Sequence, residues 1–223
     1  MKNFTIRCSS PFLVAQFDAP QAMLSWSLTR PGFTTAHKVA WLYVRNEDLP
    51  LSVDPVVLLQ QKMNDAGHAD AVHLMTSRNV RHHHLAEASA GDAQAACLAT
   101  VGLGNAVRVG GAPLIGEVVG TINLLVQTSC SLSQGAMVEA VSIAAEARTA
   151  AIMDLGWQPR GEIITGTGTD CIVVASPLLG KAENYAGLHT DIGAALGRAV
   201  YDAISQGGHV WLAERAKAGH AKY

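Results

Sequence analysis

Runs of apolar residues separated by polar turns divide the chain into short strands and helices. Before residue 46, Ser, Pro, Asp and Gly interrupt four short runs that predict β-strands: FTIRC, FLVAQF, MLSWSL and VAWLYVR. Three later apolar runs predict further strands: AVHLMT, AACLATV and GTINLLVQTS. The polar stretch SRNVRHHHLAEAS, which follows the first of these, predicts a loop.

Two segments carry helix start and stop signals. VDPVVLLQQKMNDAG predicts a helix with Asp54 as N-cap, Pro55 in the first turn and Gly67 after its end. LHTDIGAALGRAVYDAIS predicts the last helix, with Thr190 or Asp191 as its cap and an apolar ridge formed by Ile192, Leu196, Val200 and Ile204. Gly193 and Gly197 in this helix each cost about 1 kcal/mol of helix propensity relative to Ala. We expect close packing against another backbone or a ligand there.

The longest predicted helix begins at a capping box, Ser131 to Gln134, and ends at Gly156. At 100° per residue, one apolar stripe collects Met137, Val138, Val141, Ala144, Ala145, Ile152 and Leu155. Arg148 lies in the middle of this stripe. Its guanidinium needs a carboxylate, carbonyl groups or a polar ligand, unless the stem packs and the charge reaches solvent. Glu146 lies roughly 160° away around the helix and cannot pair with Arg148.

Strands occur both in consecutive runs and between helices, which favours an α/β (α+β) fold over a doubly wound sheet. We expect a single layered domain over residues 1–223, with mixed β-sheet(s) packed against helices. A chain of 223 residues that is 49% hydrophobic is long enough for one substantial core.

Charge and cysteine content narrow the class of partner. A formal charge of −2 with 15% charged residues gives no basic face for nucleic acid. The four cysteines lack metal-ligand spacing and are typical of reduced, buried thiols in a cytoplasmic protein. The N-terminus has no signal-peptide pattern, and no window approaches the ~20 apolar residues of a membrane span. We expect a soluble, cytoplasmic protein with no membrane partner and no metal.

Three turns combine glycine with short hydrogen-bonding side chains: TVGLGN at 100–105, GTIN at 120–123 and GTGTD at 166–170. Glycine lets backbone N–H groups approach a ligand, while Thr, Asn and Asp supply polar groups. Lys is absent from all three turns, so a P-loop for phosphate is not supported. We expect the turns to converge on a polar but neutral ligand, with Asp170 as the lone acid.

Other candidate groups leave alternatives open. His189, at the start of the last helix, would stay neutral beside the positive end of the helix dipole and suits a general base or a plain surface position. The triplet His82–His84 is too closely spaced for one metal ion, so a polar lid or an ordinary loop remains. No nucleophile elbow is present. Hydrolysis by activated water is therefore favoured, and Thr167 or Thr169 as nucleophile would need a separate base.

Three longer segments carry a family resemblance: GTINLLVQTSCSLSQGAMVEAVSIAAEARTAAIMDLG, ITGTGTDCIVVAS and YAGLHTDIGAALGRAVYDAI. They resemble the adenosylcobinamide amidohydrolases, the CbiZ family of cobalamin salvage, over roughly residues 70–205, and TVGLGNAVRVG adds an anchor. Where the family carries TEAKT, this chain has AEART at 145–149. Arg148 keeps the positive charge there but cannot act as a Lys-type base.

The resemblance implies hydrolysis of the aminopropanol amide of a corrinoid, giving adenosylcobyric acid and (R)-1-amino-2-propanol. It implies a corrinoid as substrate and no required cofactor, and it leaves a homo-oligomer open. The catalytic candidates are Asp170, His189 and Glu146, the last taken from the family motif. The candidates for substrate binding are Asn105, Thr121, Asn123, Arg148, Thr149, Gly166, Thr167, Gly168, Thr169 and Thr190. The main rival interpretation is a corrinoid- or nucleotide-binding module without catalysis.

Overall fold

The computed structural model describes residues 2–112 and 119–220. Its strands in chain order are β1 (Phe4–Ser9), β2 (Phe12–Ser25), β3 (Gly32–Tyr43), β4 (Val72–Thr76), β5 (His83–Ala90), β6 (Ala93–Val101), β7 (Ala106–Val107), β8 (Ile122–Thr128), β9 (Gly166–Thr167) and β10 (Cys171–Pro177). Its α-helices are α1 (Pro55–Asp65), α2 (Gln134–Asp154) and α3 (Asp191–His220). A mixed sheet packed with helices confirms the predicted fold class. That residues 1–223 form one domain stays a prediction.

The main sheet is mixed, with the strand order β4-β3-β2-β10-β8-β6-β5 and β1 paired to β2 outside this path. The β3–β4 and β8–β10 pairs are parallel, whereas the other pairs of this sheet are antiparallel. Strands β7 and β9 form a separate two-stranded pair. Strands β8 and β10 run in the same direction. The two turns that precede them therefore lie side by side at the edge of the sheet where both strands begin.

Strand β2 corrects the prediction of two separate strands, FLVAQF and MLSWSL. It is one 14-residue strand whose pairing register to β3 shifts between Gln16 and Gln21. Its first half pairs with β1 and its second half with β10. The irregularity bends the strand, as extra residues in a ladder do. The sheet therefore curls around an interior core that includes Leu13, Phe17, Trp41, Leu74, Leu98, Leu125 and Val173.

Helices cover the outer faces of this curled sheet. Helices α2 and α3 pack on each other and on β5, β6, β8 and β10, with a core rich in small residues. Helix α1 covers β3 and β4, where Leu59 and Met63 pack with Ala40 and Leu42. Asp54 caps α1 as predicted, because its Oδ1 accepts hydrogen bonds from Val56 N at 2.8 Å and Val57 N at 3.2 Å.

The predicted loop at SRNVRHHHLAEAS is wrong over its second half, which forms the edge strand β5. Residues His83 to Ala90 pair in unbroken antiparallel register with Thr100 to Ala93 of β6. One face of β5 packs under α3, which provides the burial that the local composition did not indicate. Tertiary pairing thus overrides a polar sequence.

Helix α2 is present as predicted, but its cap and part of its stripe differ. Ser133, not Ser131, is the N-cap, and its Oγ accepts from Ala136 N at 3.2 Å. Val138, assigned to the apolar stripe, is exposed. Small residues lie all around this helix, so its sequence defines the buried face weakly. Gly156 follows the helix with φ +65, the left-handed conformation predicted for it.

Helix α3 extends well beyond the predicted segment, to His220. Thr190 caps it, since its Oγ1 accepts from Gly193 N at 3.0 Å. A Cβ on Gly193 would collide with the carbonyl of Gly187 and lie 2.5 Å from Ala186 O. The expectation of close backbone packing at this glycine is therefore met.

None of the helices in the described ranges combines the length and apolarity required to span a membrane.

Candidate active site

A cavity of about 1000 Å³ opens at the sheet edge where β8 and β10 begin. The loop after β2 and the loop between β3 and α1 form its outer walls, and β4 forms one side. All three glycine-containing turns reach it, as expected from the sequence. They contribute Asn105, Thr121, Asn123, Gly168, Thr169 and Asp170 to its lining.

Asp170 lies at the base of this cavity with its side chain 8% exposed. Its Oδ1 accepts from Ile122 N at 3.1 Å and from the hydroxyl of Thr167. Its Oδ2 accepts from Thr167 N at 3.1 Å and from the guanidinium of Arg148. A carboxylate offers about four lone-pair positions, so these four donors occupy its accepting capacity.

The electrostatics of Asp170 follow from the same contacts. Burial raises the pKa of Asp170, while the charge of Arg148 and the hydrogen bonds from Thr167 and Ile122 act in the opposite direction. In this geometry the carboxylate joins helix α2, the 166–170 turn and strand β8. With four donors bound, it has little free capacity to accept a proton.

The buried guanidinium of Arg148 pairs with the carboxylate of Asp170. A carboxylate partner is the first of the options that the sequence left open. Its side chain is 17% exposed, so the guanidinium does not escape to solvent. It reaches the carboxylate across Gly166, where a Cβ would collide with Arg148 Nη1 and lie 2.7 Å from Asp170 Oδ2. Gly166 and Thr167 therefore form the support of Asp170, whereas Gly168 and Thr169 line the cavity.

Reciprocal hydrogen bonds lock the turns together. Thr121 Oγ1 donates to Thr169 O at 2.7 Å, and Thr169 Oγ1 donates to Gly120 O at 2.9 Å. A Cβ on Gly120 would lie 2.6 Å from Gly104 N, so this close approach of two backbones requires glycine. Asn105 Oδ1 is buried beside Gly120 without a hydrogen-bond partner in the described part of the chain. The three turns, at 100–105, 120–123 and 166–170, form the polar floor of the cavity. These hydrogen bonds and close contacts make the floor rigid before any ligand binds.

Asn123 links this floor to the far side of the curled sheet. It is buried, and its Nδ2 donates to Met75 O of β4 at 2.6 Å. Its Oδ1 lies 3.4 Å from Thr121 Oγ1. Strands β4 and β8 are not ladder neighbours, so this amide holds them together across the cavity.

The mouth of the cavity is apolar and exposed. Trp26, with 47% of its surface exposed, donates its Nε1–H to Asp170 O at 2.7 Å, which fixes the indole at the rim. Leu28, Leu51 and Val119 are also exposed beside it. Exposed large apolar residues that surround a polar floor are typical of a site for a broad, partly apolar ligand.

Four candidate residues lie elsewhere. Glu146 is exposed on α2, where it accepts from Ser142 Oγ at 3.2 Å, and Thr149 is on the same helix outside the cavity lining. His189 is exposed before α3, and Thr190 lines a smaller cavity of about 340 Å³ with Ser129 and Cys130. That second cavity lies beyond the end of β8, roughly 20 Å of strand away from the first. The structure does not bring these four residues to Asp170.

The three histidines of the triplet make separate contacts. His82 Nδ1 lies 3.0 Å from Glu214 Oε1, His83 Nδ1 bonds Val80 O at 2.8 Å, and His84 packs against Gly207 of α3. These residues tie β5 to its neighbours, and none of them lines the large cavity.

The sequence did not single out three cavity residues that the structure brings forward: Trp26, His73 and Cys171. His73 had a weak signal, since it interrupts the apolar strand AVHLMT. Its Nε2 bonds His68 O at 2.8 Å and its Nδ1 bonds Thr29 Oγ1 at 3.0 Å. Burial raises the pKa of the Cys171 thiol to about 12, so this group stays protonated at neutral pH.

Fold and site together define an α+β protein whose curled mixed sheet presents a wide, apolar-rimmed cavity with a floor of hydroxyls and amides. Its family follows from its whole sequence. The chain belongs to the CbiZ family, described as adenosylcobinamide amidohydrolase, whose profile matches residues 1–216.

Individual relatives match over shorter stretches. An adenosylcobinamide amidohydrolase of Halobacterium salinarum is 34% identical over 85 residues, which is 38% of this chain and 34% of that protein. An uncharacterized protein of Methanocaldococcus jannaschii is 38% identical over 87 residues, 38% of this chain and 34% of that protein. The chain thus aligns with about one third of the length of these curated relatives. The crystal structure of the PH0078 protein from Pyrococcus horikoshii OT3 superposes with a TM-score of 0.46 at 10% identity, over 92% of this chain and 82% of that one.

Proposed function

We propose that the protein hydrolyses the aminopropanol amide of adenosylcobinamide, releasing adenosylcobyric acid and (R)-1-amino-2-propanol. The observation that carries the proposal is one cavity with an apolar mouth and a neutral, hydrogen-bonding floor. A corrinoid is a broad apolar disc edged with amides, and both of its surfaces find complementary groups there. Membership of the CbiZ family supports the same substrate class.

The size and charge of the cavity support this proposal. A volume of about 1000 Å³ lies at the upper end of the range for small-molecule sites, which suits a large ligand. Arg148 offsets the charge of Asp170, Arg45 of the lining pairs with Glu47 and Asp48, and the glycine-containing turns supply hydroxyls and amides. Such groups pair with amides and gain little from a polyanion.

The rigid turns would hold the substrate edge during the reaction. Gly168 and Thr169 line the cavity and directly precede Asp170 in the chain, so the buried Arg148–Asp170 pair restrains their backbone. Preorganised donors that face a developing negative charge are an effective way to stabilise an amide-hydrolysis intermediate. In this proposal Asp170 maintains that geometry, and Arg148 holds the Asp170 carboxylate in place.

The direct test is incubation of the purified protein with adenosylcobinamide, with free aminopropanol and cobyric acid followed by mass spectrometry. Equal amounts of both products, released catalytically, are expected. Gly135→Ala, on helix α2 and outside the cavity, is a control that should turn over normally.

The second candidate function is a corrinoid-binding module without catalysis. The occupied lone pairs of Asp170 favour it, because they leave that acid unable to act as a base without rearrangement. Corrinoid binding with micromolar or better affinity and no product at long incubation times would establish the binding module and reject the hydrolase.

A further inference from the structure

Amide hydrolysis requires a group that takes a proton from the nucleophile. The titratable side chains among the described residues of the cavity lining are Arg45, His73, Asp170 and Cys171. Arg cannot give up its proton, and the Cys171 thiol stays protonated. Asp170 is occupied by four donors. His73 is the group that remains.

The hydrogen bonds of His73 determine its tautomer. A carbonyl oxygen only accepts, so the contact of Nε2 with His68 O, at 2.8 Å, places the proton on Nε2. Nδ1 then carries the lone pair, and Thr29 Oγ1 donates to it at 3.0 Å. His73 is 3% exposed, and its burial lowers the pKa of the imidazole, which keeps it neutral at pH 7.

This arrangement has the three parts of an activated nucleophile: a hydroxyl, a base and a group that orients the base. Thr29 is partly exposed and is not itself one of the cavity-lining residues, but it directly follows Leu28 of the mouth and its hydroxyl contacts His73, which lines the cavity. Because its hydroxyl occupies the free lone pair of the ring, the proton that His73 can take without rearrangement is that of Thr29.

Resting on the proposed amide hydrolysis, we propose that Thr29 is the nucleophile and His73 its general base. Thr29 Oγ1 attacks the amide carbon and forms an ester while its proton passes to His73 Nδ1. The C–N bond breaks, and the aminopropanol nitrogen leaves with that proton. Water then attacks the ester carbon and gives one proton to Nδ1, and the acid leaves as the proton returns to the Thr29 oxygen.

The contacts of Thr29 also allow a purely structural role, as a tie between the 26–31 loop and β4. That loop has another tie nearby, because Arg30 Nη1 donates to Asp70 O at 2.5 Å. Loss of the Thr29 hydroxyl should therefore leave the loop in place, which makes the two roles separable by experiment.

The test compares Thr29→Val, Thr29→Ser and His73→Asn with the wild type on adenosylcobinamide. Thr29→Val should abolish aminopropanol release, Thr29→Ser should retain it, and His73→Asn should lower kcat by about 10²- to 10⁴-fold. Corrinoid Kd and the unfolding midpoint of Thr29→Val should match the wild type. Thr5→Val, which removes an exposed hydroxyl bonded to Gln16 O on the distant β1–β2 pair, is the matched control and should keep full activity.

A covalent readout distinguishes catalysis from support. Acid quenching of wild-type protein during turnover should give a peptide containing Thr29 that is heavier by the cobyric acyl group, and hydroxylamine should remove this mass. Turnover by Thr29→Val at the wild-type rate would overturn the assignment, as would an acyl group found on Thr167. A wild-type protein that binds corrinoid but releases no aminopropanol would reject the hydrolase itself, and that outcome is distinct from normal turnover by Thr29→Val.

Discussion

At the scale of single residues, the site depends on the buried pair of Arg148 and Asp170. The sequence indicated that an arginine on an inward helix stripe needs a partner, and a carboxylate 22 positions later provides it. The pair is more a constraint on geometry than a source of net stability, because both charges lose their hydration. Removing one partner exposes that cost.

Asp170→Asn should lower the free energy of unfolding by about 3–5 kcal/mol, because the guanidinium of Arg148 is then buried without a counter-charge. Urea unfolding followed by circular dichroism measures the change. Asp202→Asn is the control, since Asp202 pairs with Arg198 on the exposed face of α3 at 2.7 Å and should cost less than about 1 kcal/mol. Equal losses in the two variants would show that the Asp170 pair is not effectively buried.

Trp26 is the residue with the most exposed aromatic surface at the cavity mouth, and its indole N–H is already bound to Asp170 O. Trp26→Ala should weaken adenosylcobinamide binding by roughly 30-fold, the effect of losing an aromatic contact of about 2 kcal/mol, and Trp26→Phe should retain most of the affinity. Equilibrium titration by corrinoid absorbance gives both values. Leu179→Ala, another exposed apolar residue outside the cavity, should bind normally. Unchanged affinity in Trp26→Ala would place the ligand elsewhere.

At the scale of elements, the sequence correctly predicted the helix ends that are determined by residues close together in the chain. The cap of α1 at Asp54, the stop of α2 at Gly156 and the start of α3 near Thr190 depend on residues within one turn. Strand β5 could not be predicted in this way, because its polar sequence becomes a strand through pairing with β6 and cover by α3. The buried face of α2 was only partly predictable, since alanines leave the stripe without a clear edge.

The glycines of α3 allow a matched test at this scale. Gly193→Ala should destabilise the protein by about 1–3 kcal/mol, because the new methyl group meets the rigid backbone of residues 186–187. Gly135→Ala, near the start of α2, meets an ordinary contact at 3.8 Å and should be neutral or stabilising by up to about 1 kcal/mol. Chemical denaturation of both variants measures the difference. A stabilised Gly193→Ala protein would contradict the close packing described for α3.

At the scale of the whole molecule, the sequence predicted the class of fold and the meeting of three turns, but not the curl of the sheet. Asn105, Thr121 and Asp170 carry their own local signal of glycine and polar neighbours. Trp26 and His73 reach the cavity only because β2 bends and β4 folds across to β8. The candidates that came from the family motif alone, such as Glu146, have no local geometric signal, and the structure leaves Glu146 at the surface.

Histidines that are buried or partly buried make the stability of the protein depend on pH. Burial lowers the pKa of His68, His73 and His84 below the ordinary value of 6.5. Below that pH these three histidines bind more protons in the unfolded chain than in the folded one, so their contribution to stability is full above pH 6.5 and is lost as the pH drops through the folded values. The urea midpoint should therefore be lower at pH 5.5 than at pH 7.5. His84→Gln should reduce the difference, and an identical midpoint at both pH values would refute this account.

The amide of Asn123 has a consequence for motion. Most neighbouring strands in this sheet are joined by several backbone hydrogen bonds, so separating them requires breaking all of these together. The side-chain link from Asn123 to Met75 is different, because parting β4 from β8 at that point breaks one polar contact. A ligand wider than the resting cavity would enter at the lowest cost by breaking this one hydrogen bond. Amide hydrogen exchange in β4 would then become faster before exchange in β8.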